Sequence, residues 1–102
     1  MSEKIEITAF IKSIPGKSEE LREAIVELIE ETVKEPGCEV FKVFQTPEDS
    51  EMFVLWEVFT DQENFQHHMG KDYTKKYFSL GLTESVSATK HIEVTRELLS
   101  TT

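Results

Sequence analysis

The stretch Met52–Phe59 is apolar on both of its faces, and this constrains the fold of the chain more than any other feature. On a strand, successive side chains point to opposite sides. Phe53, Leu55 and Phe59 then face one way, and Met52, Val54, Trp56 and Val58 face the other. An antiparallel strand with one wet face alternates apolar with polar. This one does not, so both of its faces need cover. Glu57 is the one interruption, a carboxylate inside an otherwise apolar strand. Such a group is paired, faces a cavity, or is chemically useful.

The rest of the chain supplies elements that can give that cover. Residues 4–12 alternate, with Ile5, Ile7, Ala9 and Ile11 on one side and Glu6, Thr8 and Phe10 on the other, which predicts a strand that Pro15-Gly16 ends. Between residues 17 and 35, Leu21, Ile25, Leu28, Ile29 and Val33 form the stripe of an amphipathic helix. Glu19 and Glu20 suit its N-terminus, and Pro36-Gly37 stops it. A second strand over residues 40–45 is also apolar on both sides, and Thr46-Pro47-Glu48-Asp49-Ser50 reads as a hairpin loop into the third. Thr60 and Glu63 fit a capping box for a short helix with Phe65, His68 and Met69 on one face, ended by Gly70. Asp72 fits as the cap of another short helix carrying Tyr73, Tyr77 and Leu80, and a last strand is expected within residues 88–95.

The order is that of an α+β, ferredoxin-like βαββαβ domain: a four-stranded antiparallel sheet with helices on one face. The 102 residues make one such domain, spanning 1–102. The uncovered face would carry Phe10, Val54, Trp56 and Val58, and exposing such a patch is unfavourable at about 25 cal/mol per Å². The expected remedy is a homodimer with two sheets face to face. These face assignments hold unless a bulge exchanges them.

A net charge of −9 makes nucleic acid and anionic membrane surfaces poor partners. Much of the excess acid falls between residues 18 and 35 and reads as a solvated helix face. One cysteine, Cys38, cannot form a disulfide framework. Residues 1–12 do not resemble a signal peptide, and no apolar run approaches the ~20 residues of a membrane span. A cytoplasmic, soluble protein is the expectation. Phosphate loops, dinucleotide fingerprints and the GxSxG elbow have no counterpart.

Several motifs together resemble the antibiotic biosynthesis monooxygenase family. They are Pro15-Gly16-Lys17 before the acidic helix, Glu35-Pro36-Gly37-Cys38 after it, the strand from Phe53 to Phe59 followed by Thr60-Asp61, and Phe65 then His68. The resemblance runs from about residue 5 to residue 94. It implies a dimeric α+β barrel with a pocket between the sheet and the short helices of each subunit. It also implies cofactor-free oxygenation of quinols or anthrone-like aromatics, with no cofactor and no metal, although other members handle signalling molecules or degrade haem. Haem-degrading members carry a Trp where this chain has Phe59 and an Asn on the first strand, which residues 5–11 lack. The family often has a His-aromatic pair in the helix after His68; the residues here are Tyr73 and Thr74.

Cofactor-free oxygenation requires a base, a dry aromatic pocket and a donor for the developing oxyanion. His68 is the candidate base, because imidazoles change charge near neutrality. Glu57, on the sheet face opposite the helices, is expected to orient His68 or bind a substrate hydroxyl. Phe53, Phe59, Phe65 and Tyr77 are expected to line the substrate pocket, with a small aromatic molecule and O₂ as partners. Against these stand structural readings: His68 as a satisfied core histidine, Glu57 in a structural hydrogen bond or ion pair, the aromatics as plain core. His67 reads as a surface residue, and two adjacent histidines on a helix point about 100° apart, a poor metal pair. Two alternatives remain open: an isomerase or lyase acting on a small oxygenated metabolite, and a non-catalytic ligand-binding dimer.

Overall fold

A computed structural model describes residues 3–95. Its elements are strand β1 (Ile5–Ser13), helix α1 (Ser18–Thr32), strands β2 (Cys38–Gln45) and β3 (Met52–Phe59), helices α2 (Gln62–Gly70) and α3 (Asp72–Ser79), and strand β4 (Thr83–His91). The strands form one antiparallel sheet in the order β2-β3-β1-β4. This is the ferredoxin-like arrangement, its second crossover helix broken in two at Lys71.

Register explains which residues meet the helices. β3 pairs with β1 without interruption from Ile5 opposite Phe59 to Lys12 opposite Met52. The ladder shifts lie elsewhere, between Cys38 and Val40 and between Lys12 and Ser13, so no bulge exchanges the faces of β3. Ile5, Ala9 and Ile11 of β1, Phe53 and Phe59 of β3 and Phe41 of β2 are buried, together with Leu21, Ile25 and Leu28 of α1. They form one layer between sheet and helices, in two adjoining clusters bridged by Ile29, Leu55 and Tyr77.

The opposite face lacks such cover. Phe10 is 51% exposed, Phe44 54% and Trp56 39%. Phe10, Val54 and Phe44 lie side by side across three strands. Val58 differs from expectation: it is already buried within the protomer.

Local chemistry moves several element ends from their expected places. Helix α1 stops at Thr32, because the chain tightens there into turns in which Lys34 N donates to Glu31 O and Glu35 N to Thr32 O. Val33 thereby leaves the apolar stripe and is exposed. Helix α2 is capped by Asp61, whose carboxylate accepts from Asn64 N at 2.8 Å, and not by Thr60. Thr60 Oγ1 accepts instead from Asn64 Nδ2 at 2.8 Å. Asp72 lies in the first turn of α3, and Lys71 holds the cap position with no side-chain bond. Strand β4 begins five residues earlier than expected and ends at His91, leaving the exposed Ile92 and Val94 beyond it. Its residues are mostly polar, so pairing with β1 selects it and hydrophobic alternation does not.

One glycine is required by close approach. A Cβ on Gly37 would stand 2.2 Å from Asn64 Cγ, so only a bare α-carbon lets the start of β2 pass the start of α2. Thr60 N donates to Gly37 O at 2.9 Å across the same contact.

Candidate functional site

Between the sheet and the helices lies a cavity of about 110 Å³. Its walls come from every layer: Phe41, Val43, Leu55 and Glu57 from the sheet, Leu21, Ile25 and Leu28 from α1, and His68, Thr74 and Tyr77 from α2 and α3. Met69, Phe78 and Val86 also line it while remaining exposed, and so mark its mouth. Engineered apolar cavities of ~150 Å³ hold a benzene ring. An aromatic ligand would therefore extend into this mouth unless the walls yield.

His68 is 3% exposed, although it sits on a short surface helix. The helix turns it against the rings of Phe59 and Phe41, with centroids 5.0 and 5.5 Å away. Its Nδ1 lies 3.0 Å from Glu35 Oε2, and Tyr73 Oη donates to the same carboxylate oxygen. Glu35 reaches this place because it follows the tightened turn at the end of α1 and no longer obeys the helical period. Its side chain is 8% exposed. Burial, followed by the Glu35 carboxylate, pushes the Tyr73 hydroxyl well above its ordinary range, so it remains a donor. In the tautomer whose Nδ1–H donates to the Glu35 carboxylate, the Nε2 lone pair is left to accept a proton, the usual result of a carboxylate behind an imidazole.

Glu57 is 7% exposed and sits between Ile7 and Phe41 in neighbouring strands. Among the described residues no group hydrogen-bonds its carboxyl. Burial alone raises it to about 7. Tyr77 is raised to about 12 by burial, so its hydroxyl is a neutral donor. Cys38 is raised to about 11, first by burial and then by Glu35, Glu57 and Glu39, so its thiol stays protonated. Thr74 Oγ1 is buried without a partner.

His68, Glu57 and Tyr77 thus meet at one cavity, but the other aromatics expected there do not. Phe53 and Phe59 are 2% and 0% exposed and are packed solid within the core clusters. Phe65 stacks edge-on against Phe59 at 5.7 Å. The aromatic walls are Phe41 and Phe78 instead. The carboxylate that holds His68 is Glu35 and not Glu57. In the sequence Glu35 is hidden among the acidic residues of α1; its one signal is its place directly before Pro36-Gly37, where the helix has already ended.

Residues 5–80 match the sequence profile of the antibiotic biosynthesis monooxygenase family. The chain belongs to that family. YjcS, an uncharacterised protein of Bacillus subtilis, is 33% identical over 79 residues, covering 76% of this chain and 75% of its relative. Among solved structures, protein SO0527 from Shewanella oneidensis superposes with a TM-score of 0.82 at 28% identity, covering 89% of this chain and 91% of the other. PA3566 from Pseudomonas aeruginosa superposes with a TM-score of 0.87 at 22% identity, covering 93% and 98%, a likeness of fold. Membership brings a monooxygenase-like, small-molecule-binding domain, consistent with the cavity. No helix among the described residues is long and apolar enough to cross a membrane.

Proposed function

We propose that this protein is a cofactor-independent monooxygenase acting on a quinol, an anthrone or a similar small aromatic. The observation that carries this reading is His68, buried on the wall of an apolar cavity with its Nδ1 held by Glu35 at 3.0 Å. Its Nε2 takes a proton from the substrate. The resulting anion passes one electron to O₂, and the radical pair joins to form a carbon-bound hydroperoxide. Loss of the hydrogen remaining on that carbon as a proton, with cleavage of the O–O bond, leaves a carbonyl and releases water. In an anthrone a methylene and O₂ thus become a carbonyl and H₂O; in a quinol the first proton comes from a hydroxyl, and the ring with O₂ gives a hydroxyquinone and H₂O. In both the substrate supplies all four electrons. Tyr77, a neutral hydroxyl whose side chain lines the same cavity, donates to the substrate oxyanion in this reading. The apolar walls keep water from the reactive intermediates.

The functional unit in this reading is a homodimer joined through the open sheet face. Phe10, Phe44 and Trp56 give that face an apolar centre whose burial drives association.

Oxygen uptake with a panel of hydroquinones and anthrones tests the reaction. Turnover consuming one O₂ per product is expected, with loss of activity in His68→Ala. Turnover that persists without oxygen would replace this reading with an isomerase or lyase, for which Glu57, near neutrality in the same cavity, supplies a second proton-transfer group. Unchanged activity in His68→Ala would refute the assignment of the base.

A further inference from the structure

The cavity contains an unused polar feature. Glu57 is a largely buried residue of the lining whose carboxyl makes no hydrogen bond among the described residues, and Thr74 in the same lining carries a fully buried hydroxyl without a partner. A buried polar group without a partner is costly, and a buried charge more so. Among the described residues no Lys or Arg lines the cavity to balance the carboxylate. His68 shares the lining, and its Nδ1 is already engaged by Glu35. The missing partner of Glu57 is therefore best supplied by a ligand, and that ligand has to bring a hydrogen-bond donor and no negative charge.

We propose that Glu57 is a specificity-determining residue of this cavity, accepting a hydroxyl from a neutral hydroxylated aromatic ligand and rejecting anionic ligands of the same size. This rests on the cavity being the substrate site and goes further in fixing the ligand's charge. A carboxylate or phosphate on the ligand would meet Glu57 as a like charge in a low-dielectric space with no counter-ion at hand, where such juxtaposition costs several kcal/mol. A neutral phenolic hydroxyl would donate to the same carboxylate, one of the stronger classes of hydrogen bond. Thr74 offers a second anchor, which suits a ring carrying two polar substituents.

Gentisate and its neutral amide, gentisamide, are close in size and differ in charge. Binding of each is measured by calorimetry under anaerobic, mildly alkaline conditions, so that no turnover is needed. The wild type is expected to prefer gentisamide by about a hundredfold. In Glu57→Gln the preference should collapse towards unity, chiefly through tighter binding of gentisate. Glu57→Asp, which keeps the charge, should retain the preference. Equal binding of the two ligands by the wild type, binding of neither, or an undiminished preference in folded Glu57→Gln would each overturn the proposal. Selectivity that survives while oxygen uptake fails would refute the oxygenase reading and leave the role of Glu57 standing.

Discussion

Replacing Glu57 with glutamine should change how stability depends on pH, by an amount that follows from its burial. The carboxyl moves from its ordinary value of 4.5 to about 7 on folding, because the cavity desolvates it. Below 4.5 it is protonated in both folded and unfolded chains and costs nothing. As pH rises from 4.5 towards 7, the unfolded chain releases the proton first, which favours unfolding. Above about 7 the penalty is complete and amounts to about 3 kcal/mol. Glutamine has nearly the same shape and no charge. Its unpaired amide adds an offset that does not vary with pH. Urea unfolding of both proteins, at one fixed protomer concentration and at a series of pH values, isolates the effect, since other carboxylates cancel in the difference. The two stability curves should diverge by about 3 kcal/mol between pH 4.5 and 7 in favour of the glutamine variant, then run parallel. Curves that remain parallel throughout would refute the claim that Glu57 is buried without a partner.

Further outcomes follow at three other places. Glu35→Ala strands the Nδ1–H of His68 and the hydroxyl of Tyr73, so it should cost about 3 kcal/mol in urea unfolding; Glu35→Gln should lower kcat more than it raises KM, since the imidazole loses its oriented partner. Gly37→Ala should destabilise by about 1–3 kcal/mol through overpacking against Asn64, and adding Asn64→Ala should recover part of that loss in thermal unfolding. Phe10→Asp places a charge at the centre of the open sheet face, and light scattering should report a particle of 11.8 kDa for this variant and twice that mass for the wild type.

The β-sheet core was readable in the sequence because strand periodicity is strict. Alternation assigned Ile5, Ala9, Ile11, Phe53 and Phe59 to one face, and uninterrupted register kept them there. The strand β4 was misplaced because it buries little and its identity lies in its partner, while the apolar Ile92 and Val94 just beyond it imitate a strand. At the site, residue type pointed to His68, Glu57 and Tyr77, which do line one cavity. It could not separate aromatics that fill space from aromatics that border it: Phe53 and Phe59 fill, Phe41 and Phe78 border. The role of Glu35 is concealed in the sequence for a different reason. A carboxylate beside a run of solvated carboxylates looks like one of them until the turn that swings it inward is known.

Tyr73 and Phe78 stand towards opposite ends of helix α3, and the two ends are held very differently. The first is tied to Glu35, the residue that also holds the base; the second is 59% exposed at the rim of the cavity. Turning the Phe78 side chain outward would enlarge the opening beside β4 while leaving Tyr77 in the core and the imidazole clamped. Guests longer than the resting hollow would then be admitted without loosening the group that reacts with them.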